Sequence, residues 1–227
     1  MKQKCAKKAM ELIHDGMVIG LGGGSTVALL IQEIQKSGRS IQAVTPSHDT
    51  LSLCIRHQIP VLPLEMTDTI DIAFDGCDEL DADLNALKSC GGIHTREKIA
   101  ACMAKEYVLL ADVEKWKKQL TFTYPVTVEV IRAAVRYVTK RLEQMGAHVK
   151  ELRADRKTGI LVSDDGNYLL EAGFLHVQDA GKLAAELDGI PGVVGHSLFY
   201  QIATMAIIAK EDGPQIVVRN KEMGGVK

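Results

Sequence analysis

Met17-Val18-Ile19-Gly20-Leu21-Gly22-Gly23-Gly24-Ser25-Thr26 packs an apolar run, a glycine turn and two hydroxyl residues into ten positions. The run is short and continuous, as in a strand buried on both faces. The glycines allow a tight turn, and Ser25 or Thr26 can cap the helix that follows, whose Leu29, Leu30, Ile31 and Ile34 share one face. Upstream, residues 5–14 carry a helical apolar stripe that Gly16 ends. Downstream, the pattern predicts strands at 41–45, 61–64 (interrupted by Pro63), 70–74 and 107–111, with helices at 48–57 and at 96–106, the latter capped by Thr95. Strands alternating with helices predict an α/β fold: a mostly parallel sheet with helices on both faces.

Past Pro125 the pattern changes. A strand at 126–130, a helix at 131–145 ended by Gly146, a strand at 149–153, two strands at 160–163 and 168–171 around Asp165-Gly166, a helix at 179–187 and a strand at 193–199 predict a smaller ferredoxin-like α+β domain. Strands within 202–209 and 215–219 then return to the first sheet, and residues 221–227 read as a frayed tail. The expected division is 1–124 with the return at 201–220, and 125–200 for the small domain.

Composition narrows the function. The 227 residues carry a net charge of −2, 46% hydrophobic and 25% charged residues, and only 4% aromatics. There is neither the basic stripe that phosphate-backbone binding needs nor the aromatic platform that single strands stack on, so no nucleic-acid partner is expected. Five cysteines without paired spacing read as free thiols in a reducing compartment, and no CxxC pair supports zinc. A metal held by Cys77, Cys90 and His94 is a weaker reading than small loop residues. Residues 1–15 carry four lysines and no secretory apolar core, and no apolar run reaches membrane-spanning length, so a cytoplasmic protein without a membrane partner is expected.

Two acidic clusters hold the chemistry. Asp75-Gly76-Cys77-Asp78-Glu79 ends a strand, at the edge where ligands bind in open α/β sheets. Asp81 and Asp83 beyond it read as a solvated loop. Lys88-Ser89-Cys90-Gly91-Gly92 follows, and its glycines can turn N–H groups toward a developing oxyanion. In Thr95-Arg96-Glu97-Lys98, Glu97 falls in a helix first turn, where the dipole favours an ionised carboxylate; taken alone, such a position is more often plain surface. The Gly23, Gly24, Ser25, Thr26 turn suits a phosphate monoester. It lacks the Lys of a nucleotide P-loop, and Gln42 stands where a dinucleotide fingerprint needs an acid.

Together these segments, with 125–130 and 189–194, resemble ribose-5-phosphate isomerase, type A, in order and nearly in spacing. The resemblance implies a Rossmann-like domain with a smaller α+β domain, assembled as homodimers or homotetramers. It also implies an aldose–ketose isomerase, free of cofactor and metal, that interconverts ribose 5-phosphate and ribulose 5-phosphate through an enediolate. On the same resemblance Glu97 is the base, and Asp75, Asp78 and Lys88 assist at the sugar hydroxyls. Gly23, Gly24, Ser25, Thr26, Gly76, Cys77, Ser89, Cys90, Gly91 and Lys115 complete the substrate site. The chain departs from the family in having Gly23 for threonine, Cys77 for alanine, Ser89 and Cys90 for glycines, and His94 for a hydrophobic residue. Ser89 and Cys90 adopt positive φ less cheaply than glycine, so a reshaped loop is expected. His94 reads as a loop histidine in preference to a second acid/base group. The alternatives are a sugar-phosphate sensor without turnover, an isomerase of another sugar phosphate, and a transferase of the related coenzyme A fold group with Glu97 as nucleophile.

Overall fold

The structure, a computed structural model, describes residues 1–154 and 158–219. The expected frayed tail lies outside the described residues. Along the chain come α1 (Lys2–Met10), β1 (Val18–Leu21), α2 (Ser25–Ser37), β2 (Gln42–Val44), α3 (His48–Arg56), β3 (Ile70–Gly76), β4 (Glu79–Leu80), β5 (Ala86–Leu87), α4 (His94–Met103) and β6 (Ala104–Asp112). Then follow β7 (Val126–Val130), α5 (Val135–Gln144), β8 (His148–Glu151), β9 (Tyr168–Gly173), α6 (Ala180–Asp188), β10 (Val193–His196), β11 (Leu198–Phe199), β12 (Met205–Ala209) and β13 (Pro214–Val218).

The large sheet has the order β13-β12-β6-β3-β1-β2, parallel throughout except for the edge pair β12–β13. Period-two alternation splits its side chains between two cores. Ile19, Leu21, Ile72, Phe74, Val108, Leu110 and Ile207 pack on one face with α1, α2 and Cys54 of α3. Ala73, Tyr107, Leu109, Ala206 and Ile208 pack on the other with Ala100 and Ala101 of α4 and with the 77–87 segment. From β1 the chain runs outward to β2, and from β3 it runs the other way to β6 and β12. The crevice outside the carboxyl ends of β1 and β3 is therefore a topological switch point, where such sheets bind ligands.

The second sheet, β10-β7-β9-β8, is antiparallel in every pairing, and its strand–helix–strand–strand–helix–strand order is ferredoxin-like. Val126, Val128 and Val130 of β7 bury against α5 and α6. Thr127 and Glu129 of the same strand are also buried, because this sheet's other face is covered: Thr95 of α4 lies against Gly195, and Gly92 against Leu169.

Several local expectations are corrected. The strand expected at 61–64 is a single bridge at Val61 and a 3-10 turn from Leu64 to Met66. The strand at 160–163 is one bridge, Val162 to Tyr168. The strand at 193–199 breaks at Ser197, and Leu198–Phe199 joins a three-stranded sheet with β5 and β4 that the residue pattern did not show. Neither Ser25, Thr26 nor Thr95 caps its helix; the caps are Gly24 and Ile93, without side-chain bonds. Asp81 is not a solvated loop residue. It is buried, takes the N–H groups of Asp83 (3.0 Å) and Asn85 (2.8 Å) and the Asn85 amide (2.9 Å), and so ties the turn between β4 and β5. Asp81→Ala strands the Asn85 donors in the interior and should lower the unfolding free energy by about 1–3 kcal/mol, read from urea midpoints at constant slope.

Candidate active site

Four parallel strands deliver the site. The turns after β1, β2, β3 and β6 open on one edge and, with the 88–93 loop and α4, enclose a cleft of about 470 Å³. Gly23, Gly24, Ser25, Thr26, Gly76, Cys77, Asp78, Lys88, Cys90, Gly91, Glu97 and Lys115 all line it. Two residues expected to meet substrate do not line it. Asp75 sits beneath the floor, and Ser89 is buried behind the loop, its carbonyl accepting from Thr127 Oγ1 at 2.7 Å.

Lys88 is the centre of the floor. Its Nζ lies 2.9 Å from Asp75 Oδ2 and 3.3 Å from Glu97 Oε1, and it donates to the Gly76 carbonyl at 2.6 Å. Asp75 also accepts from Tyr107 Oη at 3.1 Å and from the Gly76 N–H at 2.8 Å. Only glycine fits opposite this carboxylate: a Cβ on Gly22 would stand 2.0 Å from Asp75 Oδ1. That is why position 22 must be glycine, whatever the turn binds.

Burial by itself disfavours the Lys88 ammonium, but Asp75 and Glu97 more than offset it, so its pKa is raised and it stays charged. Glu97 goes the other way from expectation. It is 5% exposed; burial first, then the Asp75 carboxylate, push its pKa from 4.5 up to about 8, against the pull of Lys88. Burial thus outweighs the helix dipole in setting the direction in which its pKa moves. Asp78 accepts from the Cys90 N–H at 3.0 Å, and Lys115 donates to the Cys77 carbonyl at 2.6 Å. Positive φ falls on Gly91 (104°) and Gly92 (68°), not on Ser89 or Cys90, so those two replacements impose no backbone strain.

His94 is no loop residue. It opens α4 fully buried, outside the cleft lining, and burial holds its pKa down to about 4, so it is neutral near pH 7. Among the described residues no three His, Cys, Asp or Glu groups are placed to hold a metal ion. No helix among them is long and apolar enough to cross a membrane.

The residue pattern missed part of the wall: Lys2, Ser47, His48, Asp49, Ile93, Asp112 and Asp164. Ser47 to Asp49 follow β2 at the same sheet edge, and that placement was the available signal. Lys2 reaches the cleft from α1 and donates to Ser25 Oγ at 2.9 Å, and Asp164 comes from the turn before β9; neither position is marked locally in the sequence.

Comparison with known proteins gives a consistent answer. The family model for ribose 5-phosphate isomerase A (phosphoriboisomerase A) matches residues 42–213, and a model of the DeoR C terminal sensor domain matches residues 1–63. Ribose-5-phosphate isomerase A of Methanocaldococcus jannaschii is 38% identical over 216 residues, covering 93% of this chain and 95% of the relative. The protein of the same name from Methanothermobacter thermautotrophicus is 38% identical over 221 residues, covering 96% and 97%. The solved Methanocaldococcus jannaschii structure superposes with a TM-score of 0.89 at 36% identity, covering 96% of this chain and 97% of that one. A D-ribose-5-phosphate isomerase solved in complex with phospho-erythronic acid superposes with a TM-score of 0.91 at 35% identity, with the same coverage. The cleft floor, the fold around it and these matches over nearly the whole length agree: the chain belongs to the ribose 5-phosphate isomerase A family.

Proposed function

We propose that the cleft interconverts ribose 5-phosphate and ribulose 5-phosphate by metal-independent proton transfer through an enediolate, with Glu97 as the base. The observation that carries this reading is the buried Glu97 carboxyl, 3.3 Å from a charged lysine at the floor of a polar cleft. A relative of 35% identity held a sugar-acid phosphate, the same class of ligand.

The steps follow from the placement of the groups. The open-chain aldose lies with C1 and C2 over the floor. The Glu97 carboxylate takes the C2 proton, and the electrons move toward O1 as the enediolate forms. Lys88 donates a hydrogen bond to the developing oxygen, with N–H groups of the Gly91-Gly92 turn beside it. The O2 hydroxyl proton then passes to the negatively charged O1, the Glu97 proton returns to C1, and the carbonyl is left at C2 with a hydroxyl at C1. Asp75 does not reach the sugar; it fixes Lys88. Asp78, already bound to the Cys90 N–H, offers its other oxygen to a hydroxyl. The phosphate lies at the α2 start, whose first N–H groups have no side-chain cap, with Ser25, Thr26 and Lys2 around it and Lys115 across the cleft. The same proposal divides the chain into 1–124 with 201–220 as the catalytic domain and 125–200 as the small domain. It has the protein working in the cytoplasm as a homodimer or homotetramer.

Glu97→Gln should lower kcat by ~10²–10⁴ while binding of the sugar phosphate persists, measured by coupled turnover and by calorimetry; full turnover would reject the base. Catalysis from the aldose side needs the Glu97 carboxylate, and its pKa is raised to about 8, so kcat/KM should climb with pH through that value and level off above it. A flat profile between pH 6 and 9 would contradict the burial argument. EDTA should leave turnover unchanged, since Lys88 and backbone N–H groups supply the charge stabilisation; a large loss would point to a metal.

A further inference from the structure

Glu129 lies on β7 among valines, on the sheet face turned toward α4, and is 1% exposed. A carboxyl group is tolerated there only if its oxygens are fully engaged. They are: Oε2 accepts from Thr95 Oγ1, while Oε1 accepts from Ser163 Oγ at 2.6 Å and from Asn167 Nδ2 at 2.9 Å. The three donors come from two segments, the first turn of α4 and the turn before β9.

Both segments carry cleft residues. Thr95 is two positions before Glu97, on a helix start that has no side-chain cap of its own. Gly195 lets β10 approach this turn, since a Cβ there would stand 2.7 Å from Thr95 Oγ1. Ser163 and Asn167 bracket Asp164, which lines the cleft. The next residues reinforce the same attachment. Arg96 grips Asp165 with Nε at 2.9 Å and Nη2 at 2.6 Å, and Lys98 donates to the Leu198 carbonyl at 3.1 Å. Thr95, Arg96 and Lys98 thus all hold the small domain, while Glu97 alone faces Lys88.

We infer that Glu129 is a positioning residue for the isomerisation: through Thr95 it sets where the Glu97 carboxyl stands, and through Ser163 and Asn167 it sets Asp164 against the same cleft. Glu129 touches neither Lys88 nor the cleft, so it acts only through these neighbours. The inference rests on Glu97 being the base. Its force comes from geometry: a reacting group displaced by about 1 Å loses on the order of 10²-fold in rate.

The test compares Glu129→Ala, Glu129→Gln, Thr95→Val, the Glu129→Ala/Thr95→Val double variant and Val138→Ala with wild type, reading kcat, KM and melting temperature. Val138 packs α5 on the opposite face of the same sheet and is a control for lost stability alone. Glu129→Ala should lower kcat by about 10²-fold with KM nearly unchanged. Glu129→Gln should largely restore kcat, because an amide keeps the shape and both hydroxyl partners can accept as well as donate. The double variant should be no worse than the poorer single, since both cut one link. Val138→Ala should melt earlier and keep its kcat. The inference is overturned if Glu129→Ala keeps kcat, if Glu129→Gln falls as far, if the two losses simply multiply, or if Val138→Ala loses as much turnover. Glu97→Gln, run alongside, separates the two readings. An active Glu97→Gln removes the base assignment itself, whereas an inactive one beside a fully active Glu129→Ala removes only the role of Glu129.

Discussion

A lysine ammonium buried between the Asp75 and Glu97 side chains organises this protein. Lys88 is 5% exposed, and taking its charge out of water costs several kcal/mol unless partners of good geometry surround it. Asp75 at 2.9 Å and the Gly76 carbonyl at 2.6 Å supply them, and Tyr107 and the Gly76 N–H engage the rest of the aspartate. The demands spread outward from there. Gly22 must lack a side chain, and β3 must end at 75–76. The 88–93 loop must fold back over the strand ends, with the Lys88 N–H bonded to the Ser197 carbonyl at 2.9 Å.

Two opposed effects act on Glu97, and their sizes decide its state. A helix first turn favours the carboxylate by roughly 0.3–1 kcal/mol. Burial beside Asp75 raises its pKa from 4.5 to about 8, a difference of several kcal/mol in the other direction. Burial wins, and the group becomes a base poised close to physiological pH. The neighbouring lysine stays charged, so proton transfer and charge stabilisation are divided between two side chains that touch. Neither could do both tasks: an ammonium accepts no proton, and a carboxylate stabilises no oxyanion.

The large sheet was legible because parallel strands buried on both faces stand out as apolar runs, and because glycine turns punctuate them. The site was legible as far as its residues ended strands or opened helices: Asp75, Lys88 and Glu97 come together as their positions implied. What was hidden depends on neighbours distant in sequence. Val-Thr-Val-Glu-Val in β7 is legible as a strand, but nothing local in it tells that Thr127 and Glu129 are buried too, because α4 covers the second face. Thr95 has the composition of a cap and spends its hydroxyl on Glu129 instead. Asp81 and Asp83 look alike in a line of acids, but only Asp81 is folded inward by the β4–β5 turn. The break at Ser197 follows from its hydroxyl accepting the Thr127 N–H at 2.8 Å, a bond across seventy positions that no local pattern announces.

The central claim is that one glutamate, nearly buried in the lining of the cleft, keeps its proton far above the ordinary carboxylate range. Carbon-13 NMR of protein labelled at the glutamate side-chain carboxyl, with Glu97→Gln to assign the resonance, reads this directly. The account predicts one signal that titrates near pH 8 while the exposed glutamates have long since ionised, and that is missing from the variant. A Glu97 resonance titrating near 4.5 with the others would contradict it.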